Sequence, residues 1–175
     1  MPLVIVLTGP SCSGKTSLAR ALQTVLPEPA LHLEADRAFP TLPGDHPHWS
    51  HPQHHQTLTL TLHRSIVTWA KAGFNLIIDG ALPYGHPELR AGCLRILEPF
   101  APRLVGVTCA TQTLTAREQA RHVAQPGWAA HQAHDVNDGL TLDTTVDTST
   151  ADPAQCARSV LDQLLKQGSD ARRRG

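Results

Sequence analysis

A chain of 175 residues, 41% of them hydrophobic, is long enough for one buried core and short for two, so one domain is expected. Fifteen Lys and Arg balance fifteen Asp and Glu, for a formal net charge of zero. That balance excludes the broad basic field that gathers nucleic acid or anionic membrane, so neither partner is expected and any anion site must be local.

In chain order, residues 2–8 are β-branched and apolar almost without interruption, the pattern of a central parallel strand covered on both faces. A glycine-rich turn leads into a helix over 15–25, closed by Pro27 and Pro29. Residues 30–35 read as a second strand ending at Asp36. The histidine- and proline-rich TLPGDHPHWSHPQHH then reads as a long surface loop or partial lid. A helix is expected over 56–72, with Leu62, Ile66, Trp69 and Ala70 on one face and AKAG as its stop. FNLIIDG is a buried strand ending at Asp79; a helix over 87–98, the strand RLVGVTCA, the segment TLTAREQAR, the strand LTLDTTVDT and a helix over 153–166 follow.

Alternating strands and helices imply an α/β fold of three layers, a mostly parallel sheet flanked by helices. The expected organisation is a single domain over 1–167, with a lid near 112–134 and a flexible tail at 168–175. Four separated cysteines without a CxxC pair fit a reducing compartment. No apolar run reaches the roughly 18 residues of a membrane span, and no basic n-region opens the chain, so a cytoplasmic location is expected.

The turn after the first strand reads Gly9, Pro10, Ser11, Cys12, Ser13, Gly14, Lys15, Thr16, matching GxxxxGK(S/T), with Ser17 next in the helix. Such glycines let successive backbone N–H groups face one anion at a helix N-terminus, while the lysine reaches the outer phosphates and the threonine hydroxyl ligates Mg2+. Lysine is scarce, three among fifteen basic residues, which raises the weight of Lys15. Asp79 has the strand-then-carboxylate form of a second magnesium contact, although strand-end aspartates also serve as turn residues. Without an N/TKxD base-reading element, ATP is favoured over GTP; VDTST either lines the adenine site or caps the last helix through Thr150 or Asp152.

A phosphate loop alone suits a kinase, a switch or a motor. Short length and neutral charge disfavour a motor on nucleic acid. A kinase needs a carboxylate to take the acceptor proton and cations to neutralise the transferring group. Asp36 falls at the sheet edge where ligands bind, and Arg117 and Arg121 share a helical face that would close over phosphate. Individually these residues also read as a partner for Arg37 and as a solvated helix face. His46, His48, His51, His54 and His55 around Trp49 match no compact metal-ligand spacing.

With the phosphate loop, the LPEP of residues 26–29, the aspartate seven residues on, AKAG before LIID, REQAR and the late VDT, the chain resembles chloramphenicol phosphotransferase over almost its whole length. The resemblance implies transfer of the ATP γ-phosphate to a hydroxyl of a small molecule, chloramphenicol or another hydroxylated antibiotic. It implies Asp36 as general base, Lys15 and Thr16 on phosphate and magnesium, and Arg117 and Arg121 in the lid. The chain departs from that family in reading HVA at 122–124 where GDR is expected, and in its HPHWSHPQHH stretch. A metabolic kinase of shikimate or gluconate type and a non-catalytic nucleotide-binding module are the alternatives; homo-oligomerisation is left open.

Overall fold

The computed structural model describes residues 1–38, 51–121 and 126–173; the side chains of Asp36, Pro52 and 168–173 lie outside that description. Five strands, β1 (Val4–Thr8), β2 (Ala30–Glu34), β3 (Asn75–Asp79), β4 (Arg103–Thr108) and β5 (Thr144–Asp147), pair in parallel in the order β2-β3-β1-β4-β5. All five residues of β1 are buried. Because alternate side chains leave a strand on opposite faces, Ile5 and Leu7 join one core with α1 (Lys15–Val25) and α7 (Pro153–Arg173). Val4 and Val6 join the other core, with α3 (Pro52–Lys71) and α4 (Pro87–Leu97). This is the three-layer α/β fold that the alternating pattern implies and, with the phosphate loop after its first strand, the P-loop fold of the small-kinase type expected from the sequence.

The route from β1 through α1 to β2 runs toward one edge, and that from β3 through α4 to β4 runs toward the other, over the opposite face. The carboxyl ends of β1 and β3 therefore open a crevice where the strand order reverses, the usual ligand position in such sheets. In register, Leu7 stands beside Asp79 and Val105, and Glu34 beside Asp79.

Several boundaries differ from expectation. β2 stops at Glu34, and Asp36 lies in the short helix α2 (Ala35–Ala38) just beyond the sheet edge. α3 begins at Pro52, inside the histidine-rich stretch, since proline at a first helical position gives up an N–H that would be unpaired anyway. Trp69 is 48% exposed, edge-on to Phe74, while Leu62, Ile66 and Ala70 carry the buried stripe. The last strand is shorter than expected and begins after Asp143, whose backbone N–H donates to the Leu104 carbonyl at 2.9 Å while one carboxylate oxygen accepts the Leu104 N–H at 2.8 Å and the other faces Arg103 at 2.8 Å. Helix α7 is capped by Asp152, which accepts the Gln155 N–H at 2.8 Å, and its backbone continues to Arg173 rather than ending near 166.

Candidate active site

The chain leaves β1 through the phosphate loop against the backbone of β4. Gly9 has φ 148°, and a Cβ on it would stand 2.1 Å from the Val107 carbonyl oxygen, so only glycine fits this close approach. Gly14, at φ 92°, caps α1, and Cys12 is also left-handed at φ 60°, a conformation costing about 1 kcal/mol for a residue with a Cβ. Lys15 Nζ donates to the Gly9 and Pro10 carbonyls at 3.0 and 2.8 Å, laying the ammonium across the loop.

Register brings Asp79 to this loop from β3. The Thr16 hydroxyl donates to Asp79 Oδ2 at 2.6 Å, and His32 Nε2, from β2, stands 3.5 Å from the same oxygen. Asp79 is only 3% exposed. A buried carboxylate and a hydroxyl converging beside a lysine form the hard oxygen pair that suits Mg2+. The Ser13 hydroxyl is buried without a hydrogen-bond partner among the described residues.

Two clefts meet at the loop, sharing Cys12, Gly14 and Arg121. One, of about 270 Å³, runs from Lys15, Thr16 and Asp79 to a wall including Leu82, Tyr84 and Trp128. Tyr84 meets Trp128 edge-on at 5.3 Å, and Trp128 stacks on His131 at 5.7 Å. The Tyr84 hydroxyl donates to Asp135 at 2.7 Å, a bond that pushes its phenol pKa up. The other cleft, of about 320 Å³, lies between α1 and the start of α7 and is lined by Arg117, Thr148, Pro153 and Cys156 among others.

An arm made of α5 (Thr111–Arg121) and α6 (Trp128–Gln132) joins both clefts to the loop. Arg117 donates to the carbonyls of Cys12 (3.4 Å) and Thr148 (2.7 Å), and the buried Thr148 hydroxyl donates to the Ser13 carbonyl at 2.6 Å. Glu118 is not on a solvated face: at 3% exposure it accepts the Gly127 and Ala129 N–H groups at 2.6 and 3.0 Å, seating α6 on α5. Gln132 Oε1 accepts the Ser11 N–H at 2.7 Å.

The structure thus gathers Lys15, Thr16 and Asp79 with the rest of GPSCSGKT, places Arg121 at both clefts, and turns Arg117 onto the loop backbone. Asp36 has its backbone two residues beyond Glu34, which lines the first cleft; its side chain lies outside the described residues. So do His46, His48, Trp49 and the HVA of 122–124. His51 caps α3, and His54 and His55 lie in its first turn. Among the described residues no group of three or more His, Cys, Asp or Glu forms a metal-holding cluster. Glu118, Thr148, Gln132, Tyr84 and Trp128 carry the site without having been singled out by sequence. Of these, Glu118 sat in the noted REQAR segment, where it read as part of a solvated face, and Thr148 in VDTST. All four cysteines are buried free thiols, and burial pushes that of Cys93 up to about 11. No described helix is long and apolar enough to cross a membrane.

A protein of Mycobacterium tuberculosis strain H37Rv, provisionally named an O-phosphotransferase, is 26% identical over 181 residues, spanning 90% of this chain and 80% of its own. Among solved structures, shikimate kinase from Acinetobacter baumannii in complex with shikimate superposes with a TM-score of 0.69 at 17% identity, covering 95% of each chain. The APS kinase of Mycobacterium tuberculosis with AMPPNP and APS gives 0.68 at 18% identity, covering 93% of this chain and 97% of its own. A gluconokinase from Sinorhizobium meliloti gives 0.67 at 16%, covering 99% and 98%. These likenesses agree on the fold. The model of the chloramphenicol phosphotransferase-like protein family matches residues 3–165, and the chain therefore belongs to this family of P-loop small-molecule phosphotransferases.

Proposed function

We propose that the protein is an ATP- and Mg2+-dependent kinase that moves the γ-phosphate to a hydroxyl of an uncharged small molecule, chloramphenicol or another hydroxylated antibiotic. The observation that carries this reading is the Thr16–Asp79 contact of 2.6 Å beside Lys15, opening into a cleft with an aromatic wall. Lys15 exchanges its loop carbonyls for the outer phosphates. Thr16 and Asp79 hold the magnesium ion, which shields the charge of the phosphate oxygens when bound. The nucleoside occupies the cleft at Arg117 and Thr148, and Arg121, which lines both clefts, faces the transferred group. The helical arm α5–α6 acts as the lid.

In the transfer step the acceptor hydroxyl gives its proton to the Asp36 carboxylate as its oxygen bonds to the γ-phosphorus. The bond from that phosphorus to the bridging oxygen breaks, and ADP leaves with the electron pair. Among the described residues, the cations of the acceptor cleft are Lys15 and Arg121, both engaged with phosphate in this scheme. An anionic acceptor of shikimate or gluconate type would lack a partner of its own there. The test is a panel of hydroxylated antibiotics and sugar acids read by ADP formation and product mass, with Asp36→Asn alongside. Acceptor-stimulated ADP release with a mass gain on a neutral acceptor is expected. Wild-type turnover in Asp36→Asn would overturn the base assignment, and hydrolysis that no acceptor stimulates would favour a regulatory module.

A further inference from the structure

Gln132 ends α6 with its carboxamide oxygen on the Ser11 N–H, 2.7 Å away. That seat is built. Buried Glu118 fixes the start of α6 through the Gly127 and Ala129 amides, and Arg117 ties α5 to the loop carbonyl of Cys12. The segment after α6 is held as well, since Arg90 donates to the Val136 carbonyl at 3.1 Å and the Thr8 hydroxyl to Asn137 at 3.0 Å. The carboxamide thus meets the loop from a frame held at both ends.

Ser11 lines the cleft that holds Asp79 and Tyr84 and not the cleft that holds Thr148 and Cys156. With the nucleoside in the second cleft, its N–H faces the terminal phosphate rather than the inner ones. A single backbone N–H makes one well-aligned hydrogen bond. A carboxamide oxygen and a phosphoryl oxygen therefore compete for it.

We propose that Gln132 makes the phosphate loop discriminate nucleoside triphosphate from diphosphate. Its oxygen satisfies Ser11 while no terminal phosphate is present and must withdraw when one arrives. The inference rests on the kinase reading above and adds a consequence: once the γ-phosphoryl group has gone to the acceptor, Gln132 returns to Ser11, and the diphosphate state regains a hydrogen bond that the triphosphate state forgoes. The withdrawn carboxamide stays beside the acceptor cleft, whose wall includes Trp128 of the same helix.

The experiment is calorimetric titration of ADP and of a β,γ-imido ATP analogue, with Mg2+, into wild type, Gln132→Met, Gln132→Ala and Gln132→Glu. Removing the competitor should lower the ratio of analogue Kd to ADP Kd roughly threefold to tenfold in the Met and Ala variants, the span of one net hydrogen bond. ADP affinity should stay within about twofold, since ADP does not contest that donor. The Glu variant should raise the ratio, because its carboxylate repels the terminal phosphate. Alanine leaves room for water at Ser11, so it keeps the test valid if the methionine variant does not fold. Equal shifts for both nucleotides, or an unchanged ratio, would overturn the inference while leaving the kinase reading intact. If wild type binds neither nucleotide, or binds both as well after Lys15→Ala, the kinase reading and the inference fall together.

Discussion

Glu118→Ala removes a side chain that joins the two helices of the arm through the α6 N-terminus. Its carboxylate accepts the Gly127 N–H at 2.6 Å and the Ala129 N–H at 3.0 Å. Gly127 is exposed, so water replaces much of what it loses; Ala129 is fully buried, so its donor is left without a partner. Hydrogen bonds to a charged group contribute about 1.5–3 kcal/mol each, and a buried unpaired donor costs about 1–3 kcal/mol. The local penalty is then about 3 kcal/mol, which makes opening of α6 more frequent by a factor on the order of a hundred. Glu118→Gln keeps one acceptor oxygen and should lose roughly tenfold. Native-state amide exchange reads this directly, with Ala129 as the reporter and Ile5 and Val6 of β1 as the internal reference. Fast exchange at Ala129 with β1 unchanged is expected. Unchanged protection at Ala129 would refute the clasp, and equal loss at β1 would mean that Glu118 supports the whole fold rather than the arm.

Gly9→Ala should cost about 2–4 kcal/mol in urea unfolding and abolish binding of the ATP analogue, because the added methyl meets the Val107 carbonyl at 2.1 Å and that partner is backbone. Asp79→Asn should raise the Mg2+ concentration for half-maximal turnover by roughly tenfold to a hundredfold, and Thr16→Ala by less, measured by metal titration at saturating nucleotide. Burial lowers the pKa of His63 below its ordinary 6.5, against the bond its Nδ1 makes with the Thr59 carbonyl at 2.8 Å, and its Nε2 has no partner among the described residues. The unfolded chain therefore binds a proton that the folded one resists. Stability should be full above 6.5 and fall as pH drops below it; His63→Leu should flatten that slope in urea midpoints measured across the range.

What the sequence made legible is what depends on neighbours along the chain. β1, β3 and β4 are apolar runs, and the phosphate loop is eight consecutive residues whose conformation needs glycine at 9 and 14. Asp79 was legible because a carboxylate ends an apolar strand. Glu118 was not, since the two amides it serves lie beyond the end of its own helix, and Arg-Glu-Gln-Ala-Arg on a helix reads the same whether solvated or buried. Gln132 and the Tyr84–Trp128 wall belong to no periodic pattern; only folding brings them to one cleft. Pro52 misled for a different reason, because proline stops a helix from inside and starts one at its first position.

The two clefts also differ in how much sequence change they tolerate. Around the donor loop the partners are main-chain atoms: Arg117 on the Cys12 and Thr148 carbonyls, Thr148 on the Ser13 carbonyl, Gln132 on the Ser11 N–H. Backbone groups are the same whatever residue bears them, so those contacts persist through substitution at Ser11, Cys12 or Ser13. The acceptor wall is instead a set of ring contacts, Tyr84 to Trp128 at 5.3 Å and Trp128 to His131 at 5.7 Å, each pair contributing about 0.5–1.5 kcal/mol. Trp128 is already 39% exposed, so replacing a ring there reshapes the cleft at little cost to the fold. In the function proposed above, the acceptor side of this chain therefore tolerates exchange more readily than the phosphate side. Exchanges at Tyr84 and Trp128 should accordingly move acceptor KM and leave nucleotide Kd in place.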